Sequence, residues 1–538
     1  MKTLRPKDQS DKTTKLFEPP EAEPAISLKT WILVFGAVLG AFMAVLDIQI
    51  TNSSLRDIQG ALAASLDEGT WISTSYLIAE IVVIPLTAWL TKVFSLRRYL
   101  FVNALLFVLF SVLCGSAQDL NQMIVARALQ GITGGTLIPL AMAVILTTLP
   151  KSKQPFGLAL FSLTATFAPT IGPSLGGWLT DMYGWRYIFY INIIPGMLLL
   201  SAVWFAAPKQ PMNLELLKNG DWLGVLTMAV GLGSLEYFLE EGNRKDWLGS
   251  PEICQALGLA IVFLTVFLYL QVRGKKPLLN LSLFKQRTFS TAAVINVVLG
   301  IGLYGSVYLM PAYLAQVQGY SAFQIGQVML WFGLPQLLLI PLVPKLMRTF
   351  DVRILVAIGI GLFACSCLIN SFMTHDTAGP QIIVSQLIRA LGQPLIFVPL
   401  SSVAMSGVQA EQAGSASSLF NMMRNLGGSV GIAAIATLLS KREQLHSNNL
   451  SVAVSGFSNA VQTRLSELTS SFQAHGFDSV MAHNQALMTI DQIMRRESFI
   501  LAYADSFRML GMLLLLSIVA IFFMGKIRNS NASTSGSH

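Results

Sequence analysis

Charged residues stand inside long apolar runs of this 538-residue chain. Asp47 interrupts "WILVFGAVLGAFMAVLDIQITNSSL" (31–55), Glu80 lies within "LIAEIVVIP", and Arg127, Arg389 and Arg424 are set in equally apolar stretches. A charge near the centre of a bilayer costs roughly 3 kcal/mol on insertion scales, so such residues are functional candidates. The chemistry open to them is proton exchange. A carboxyl poised between apolar surroundings and a nearby cation can load a proton on one side and release it on the other. Asp47 reads as such an acid, or as a helix-end polar group reaching headgroup water. Glu80 falls mid-run, where its short side chain cannot snorkel; it suits a proton, a cationic ligand, or a protonated acid bonded to a neighbouring helix. Glu236 and Glu240, one turn apart and followed by Glu241, approach a membrane face and read as a solvated rim more readily than as a binding surface.

The elements that must position these groups are membrane helices. The chain is 53% hydrophobic and 12% charged, with mean hydropathy +0.60, whereas soluble domains carry about 25% charged residues. Runs of about 20 apolar residues are long enough to span a bilayer. Fourteen are predicted, over 29–52, 70–92, 98–117, 121–148, 155–180, 186–206, 221–240, 254–273, 289–316, 322–347, 351–373, 380–405, 411–440 and 504–526. The fold class is therefore an all-α polytopic membrane protein. Lysines and arginines concentrate in alternate short loops, for example Lys92, Arg97 and Arg98, and Lys345, Arg348 and Arg353. The positive-inside rule then puts both termini in the cytoplasm. This divides the chain into a cytoplasmic tail (1–28), a six-helix bundle (29–206), a linker with two extra helices (207–288), a second six-helix bundle (289–526) carrying an outer loop (441–503), and a short tail (527–538). The outer loop reads as two amphipathic helices broken at Gly476.

Other chemistries find no support. The N-terminal stretch lacks the apolar core and small-residue cleavage site of a signal peptide. Cys114, Cys254, Cys365 and Cys367 sit in apolar runs without nearby histidines and read as packing residues, so no metal or other cofactor is expected. No G-x-x-x-x-G-K-[ST] loop occurs to bind ATP, no nucleophile–base pattern suggests an enzyme, and the net charge of +8 reports topology and not nucleic-acid binding.

The chain also repeats itself. "PLTAWLTKVFSLRR" (85–98) matches "PLVPKLMRTFDVR" (341–353), and "ARALQGITGGTLIPL" matches "IRALGQPLIFVPL", pairing Arg127 with Arg389 at nearly the same offset. Two six-helix halves related by duplication follow, with the seventh and eighth segments left over. Parallel repeats of this kind are a transporter plan, with substrate bound between the halves.

These motifs resemble the major facilitator superfamily, in particular its 14-helix drug:proton antiporter branch and the EmrB-like multidrug exporters. "LDIQITNSSL" resembles the element ending the first helix, "ARALQGITGG" the fourth-helix motif R-x-x-Q-G-x-G, and "FAPTIGPSLGGWL" the fifth-helix antiporter motif, with Pro169, Gly172, Pro173, Gly176 and Gly177. "WRYIFYINIIPG" resembles the opening of the sixth helix. "PLTAWLTKVFSLRR" resembles the cytoplasmic gate loop G-x-L-a-D-x-x-G-R-K/R but departs from it: Ala88 replaces a glycine, Lys92 an aspartate and Ser95 the second glycine. The resemblance implies a proton-coupled antiporter, driven by the proton gradient, that exports hydrophobic or amphipathic compounds across the bacterial inner membrane. Export of one metabolite, such as a siderophore or fatty acid, is the alternative; import by the same fold is less favoured. The resemblance further implies that the first and fourth helices line one cavity; there Asp47 reads as the coupling acid and Arg127 as the cation tuning it, while Glu80, a charge that the family pattern does not lead one to expect, is a second candidate acid. Gln49, Asn52, Gln130, Glu236, Arg389 and Arg424 are then candidates for the cavity. Expected partners are membrane lipid, small hydrophobic substrates, an EmrA-like periplasmic adaptor docking on 441–503, and a TolC-like outer-membrane channel.

Overall fold

A computed structural model describes residues 26–218, 220–274, 277–454 and 458–522; the expected tails before 26 and after 522 lie outside the described residues. Among these residues fourteen helices are long and apolar enough to cross a membrane, and no strand occurs. They are α1 (Leu28–Ser53), α2 (Trp71–Phe94), α3 (Leu96–Ser116), α4 (Leu120–Thr148), α5 (Gln154–Tyr183), α6 (Tyr187–Ala206), α7 (Trp222–Gly242), α8 (Pro251–Arg273), α9 (Arg287–Gln316), α10 (Ala322–Thr349), α11 (Val352–Asn370), α12 (Gly379–Met405), α13 (Ala413–Ala453) and α14 (Ser479–Phe522). An all-helical span follows from the solvent: hydrocarbon offers backbone groups no partners, so each segment must bond internally.

Local chemistry sets the ends. Ser27 and Asp119 cap α1 and α4 by accepting from the backbone N–H of Thr30 (3.2 Å) and Gln122 (2.9 Å). α10 is interrupted by a tighter turn at Ile340–Leu342, where Pro341 and Pro344 remove backbone donors. Between α2 and α3 the chain turns at Ser95, with φ +69° and ψ 148°, a region that normally admits only glycine. Of the three residues that depart from the gate-loop pattern, Ser95 therefore sits in strained backbone.

The duplication is visible in the packing. α1 packs on α4, α5 and α6, and α9 packs on α12, α13 and α14; α2 lies against α4 as α10 does against α12; α3 meets α4 and α6 as α11 meets α12 and α14. The two halves meet where α5 touches α10 and α12, and where α2 and α4 touch α13. The extra helices α7 and α8 form a hairpin whose α7 packs on both α2 and α13, so it spans the seam between the halves.

Two predicted boundaries are corrected. Residues 413–440 of the predicted segment 411–440 and the described residues 504–522 of the segment 504–526 are parts of much longer helices, α13 of 41 residues and α14 of 44. At 1.5 Å per residue α13 is about 60 Å long, twice the hydrocarbon thickness. Residues 441–453 turn polar but contain no helix breaker, so hydropathy ends there while the helix continues. The outer loop is helical as expected, but its ends are continuous with the spanning helices α13 and α14, so it forms a projection. Its middle is a separate helix, Asn459–Ala474, packed on α14, and the expected break falls at Gly476 with φ +94°. We call the membrane side carrying this projection the loop face and the opposite side the tail face.

Candidate functional site

Asp47 and Arg127 meet inside the first half. Both are 1% exposed. Arg127 Nη1 donates to Asp47 Oδ2 at 2.6 Å and to Gln130 Oε1 at 2.7 Å, while its Nε donates to the Ile72 carbonyl at 3.2 Å. Gln130 Nε2 and Asn192 Nδ2 both donate to Asp47 Oδ1, at 3.0 and 2.6 Å. Asn192 also donates to Ser111 Oγ (2.9 Å), whose hydroxyl donates to the Phe189 carbonyl (2.8 Å). The guanidinium lies over the Tyr76 ring at 4.2 Å. The carboxylate thus has three donors, one of them its paired cation, the condition under which a buried ion pair is tolerated. The glycines of the fourth-helix motif make this possible: a side chain at Gly131 or Gly135 would collide with α2 at Tyr76 or Glu80.

A cavity of about 380 Å³ lies between the halves, within the range of small-molecule sites. Its walls follow helical spacing. α1 contributes Val45, Ile48, Gln49 and Asn52; α2 contributes Ser73, Thr74, Leu77, Glu80 and Ile81; α7 contributes Glu236, Glu240 and Glu241. The second half supplies Tyr304 and Tyr308 from α9, and Asn425, Gly428, Ser429 and Ile432 from α13. Asn52, near the loop face, is solvent-exposed. Asp47 is not on this wall. The α1 face built from 45, 48, 49 and 52 turns it toward α4 and α6, so the first and fourth helices share a buried network and not an open cavity at this level.

Three of the cavity carboxylates have distinct surroundings. Glu80, 4% exposed, accepts from Asn425 Nδ2 at 3.2 Å, a hydrogen bond that crosses between the halves. Glu236, 2% exposed, accepts from Ser429 Oγ at 2.8 Å through Oε1, while Oε2 has no partner. Glu241 is paired with Arg244 and accepts from Thr70 at 3.1 Å. The expectation of a solvated rim at Glu236 is therefore corrected: α7 is pressed between α2 and α13, which bury that face.

Of the cavity candidates, Gln49, Asn52 and Glu236 lie on the cavity wall, whereas Gln130 belongs to the Asp47 network. Arg424, 2% exposed, lies one residue from the cavity-lining Asn425 and over the Phe397 ring at 5.2 Å; its Nε and Nη1 have no partner. Arg389, the repeat mate of Arg127, is 3% exposed in the core of the second half, over the Phe332 ring at 4.0 Å, and its Nε and Nη2 have no partner. The antiporter motif packs α5 in two directions. Gly172 and Gly176 face Gln49, Ile50 and Ser53 of α1, and Gly177 faces Ala322 of α10, so Pro169 and Pro173 sit in a helix clamped between its own half and the other. In the gate loop, Lys92 and Arg98 are exposed, while Arg97 donates to the Trp204 carbonyl of α6 at 2.7 Å and stays within its own half.

Asn192, Ser111 and Tyr76 are members of the network that the sequence motifs do not single out. Asn192 lies inside the sixth-helix motif "WRYIFYINIIPG", which is the signal that could have pointed to it, although the motif does not mark it as a partner of Asp47.

Comparisons with known proteins agree with this architecture. The model of the Major Facilitator Superfamily matches residues 37–432. The chain is similar to the colistin resistance protein EmrB of Acinetobacter baumannii (34% identity, covering 94% of this chain and 98% of that protein). It is also similar to the multidrug export protein EmrB of Escherichia coli (30%, covering 87% and 92%) and to the fatty acid resistance protein FarB of Neisseria gonorrhoeae (31%, covering 91% and 94%). Among solved structures, the human organic anion transporter MFSD10 (TM-score 0.55, 11% identity, covering 91% and 99%) and the proton:xylose symporter XylE (TM-score 0.56, 15% identity, covering 93% and 96%) share the fold.

Proposed function

The chain belongs to the major facilitator superfamily and to its EmrB-like exporters, a multi-pass drug-efflux transporter, and from that premise we propose that it couples export to inward proton flow. The observation that carries the coupling is Glu80. It is a buried carboxylate on the cavity wall whose hydrogen bond from Asn425 crosses between the halves. When the halves rock, that bond and the water around it change, and a carboxyl's proton affinity follows its surroundings. Glu80 is the acid in contact with the transported compound's compartment. The Asp47–Arg127 pair is the second element of the coupling: closed among α1, α4 and α6, it opens to protons when these helices shift. Gln49 and Asn52 contact the compound, and the α5 glycines keep the α5–α10 contact close enough to prevent leak.

The tail face, rich in lysine and arginine, faces the cytoplasm in this reading, and the membrane is the bacterial inner membrane. The helical projection then stands in the periplasm. Its α14 part exposes Val480, Met481, Leu487 and Met488 at seven-residue spacing, an apolar stripe suited to a helical adaptor of the membrane-fusion type that leads to an outer-membrane channel. Export of fatty acids is a second reading, favoured by the likeness to FarB; four carboxylates on the cavity wall weigh against an anionic cargo.

The test is substrate-dependent proton movement in proteoliposomes, using a panel of charged and uncharged hydrophobic compounds. The wild type is expected to move protons when a compound is added, and Glu80→Gln and Asp47→Asn to bind compounds without moving protons. Proton movement of wild-type size in both variants would reject the assignment.

A further inference from the structure

The α7–α8 hairpin is the part that the duplication leaves over, and the rocking of two halves gives it no task. Yet α7 forms one wall of the cavity. Glu236 on that wall is 2% exposed and its Oε2 is without a partner. A buried acceptor left unpaired carries a desolvation cost that a ligand can remove. Among the described lining residues the single basic side chain is Arg244, which is paired with Glu241, so the wall offers Glu236 no cation of its own. The cavity also holds Tyr304 and Tyr308, one turn apart on α9, and the apolar Val45, Ile48 and Ile138. Aromatic faces attract cations whose charge is spread over an apolar body.

We propose that Glu236 makes α7 the selecting wall of the cavity, and that the ligand it selects is a lipophilic organic cation. The charged centre lies against Glu236 Oε2, and the apolar body lies against the tyrosines and the aliphatic lining. The proposal rests on the exporter reading and divides the carboxylates: Glu80 serves the proton, Glu236 the cargo. The extra hairpin is thus a specificity element, added to a transport core that is complete without it.

The experiment measures equilibrium binding to the full chain in lipid nanodiscs. Tetraphenylphosphonium and tetraphenylborate have the same shape and opposite charge. Wild type is expected to bind the phosphonium about tenfold or more tightly than the borate. Glu236→Gln is expected to lose about tenfold or more of the phosphonium affinity, with Glu236→Asp restoring most of it. Binding of the uncharged dye Nile red should be the same in all three proteins, which establishes that the cavity is intact. Equal phosphonium binding by wild type and Glu236→Gln, or no preference for phosphonium over borate in wild type, overturns the proposal. The two readings fail separately. Proton-driven export of any compound by a wild type that does not prefer the phosphonium leaves the exporter and removes the site. The expected binding pattern without proton-driven movement of any compound leaves the site and removes the exporter.

Discussion

Asp47 carries its cost because three donors, the Arg127 cation among them, close around it, and that arrangement makes it fragile. Removing one partner of a buried ion pair leaves the other charge uncompensated, at about 3–5 kcal/mol. We therefore expect Asp47→Asn to lower unfolding stability by about that amount, measured by denaturation in detergent, and the double variant Asp47→Asn/Arg127→Gln to recover a large part of it. A double variant as unstable as the single one would show that the pair is not the source. Ser95 is strained in the other direction. A non-glycine residue at φ +69°, ψ 148° costs about 1–3 kcal/mol. Ser95→Gly is accordingly expected to raise stability by about 1 kcal/mol or more, and an unchanged or lower melting temperature would contradict this. At this scale the sequence is informative where residues are expensive. Asp47 and Arg127 announce themselves by charge, and Ser95 by departing from a glycine pattern. Asn192 and Tyr76 do not announce their partnership with Asp47 and Arg127, because a neutral polar or aromatic residue carries no charge that demands a partner.

Helices are legible wherever apolar composition and helix coincide, which holds for most of the fourteen. They are misjudged where the two part company. α13 and α14 leave the membrane without leaving the helix, so a search for apolar runs cuts them at 440 and 504. α7 reads as ending in a rim because Glu236, Glu240 and Glu241 close its apolar run; burial by α2 and α13 is a tertiary fact with no local signature. The projection carries a prediction of its own. Replacing Val480, Met481, Leu487 and Met488 together by serine removes the exposed stripe without touching a spanning segment. Capture of a membrane-fusion-type adaptor is expected to fall to background in a pull-down, with membrane insertion and compound binding unchanged. Normal capture would place the docking surface elsewhere.

The whole molecule is two repeated halves around a cavity, and two short sequence matches are enough to reveal the repeat. The state of the cavity has no such signature, because it depends on contacts between segments hundreds of residues apart. On the tail face the halves are in contact. Ser417 Oγ donates to the Pro139 carbonyl at 2.8 Å, Phe161 lies 6.2 Å from Phe397 between ring centroids, and Gly414 of α13 lies beside Ala88 of α2. In the proposed orientation, with the tail face toward the cytoplasm, export requires these contacts to part so that cargo can enter. A side chain at Gly414 would stand 3.7 Å from the Ala88 Cβ, inside the 3.5–4.5 Å range of a disulfide. The direct measurement is drug movement driven by a proton gradient in proteoliposomes carrying Ala88→Cys/Gly414→Cys, with the exposed Cys254 and Cys365 replaced by serine. Oxidation is expected to stop both drug and proton movement, and reduction to restore them together. Drug movement that continues at its full rate with the pair oxidised would contradict an exporter that works by parting its two halves.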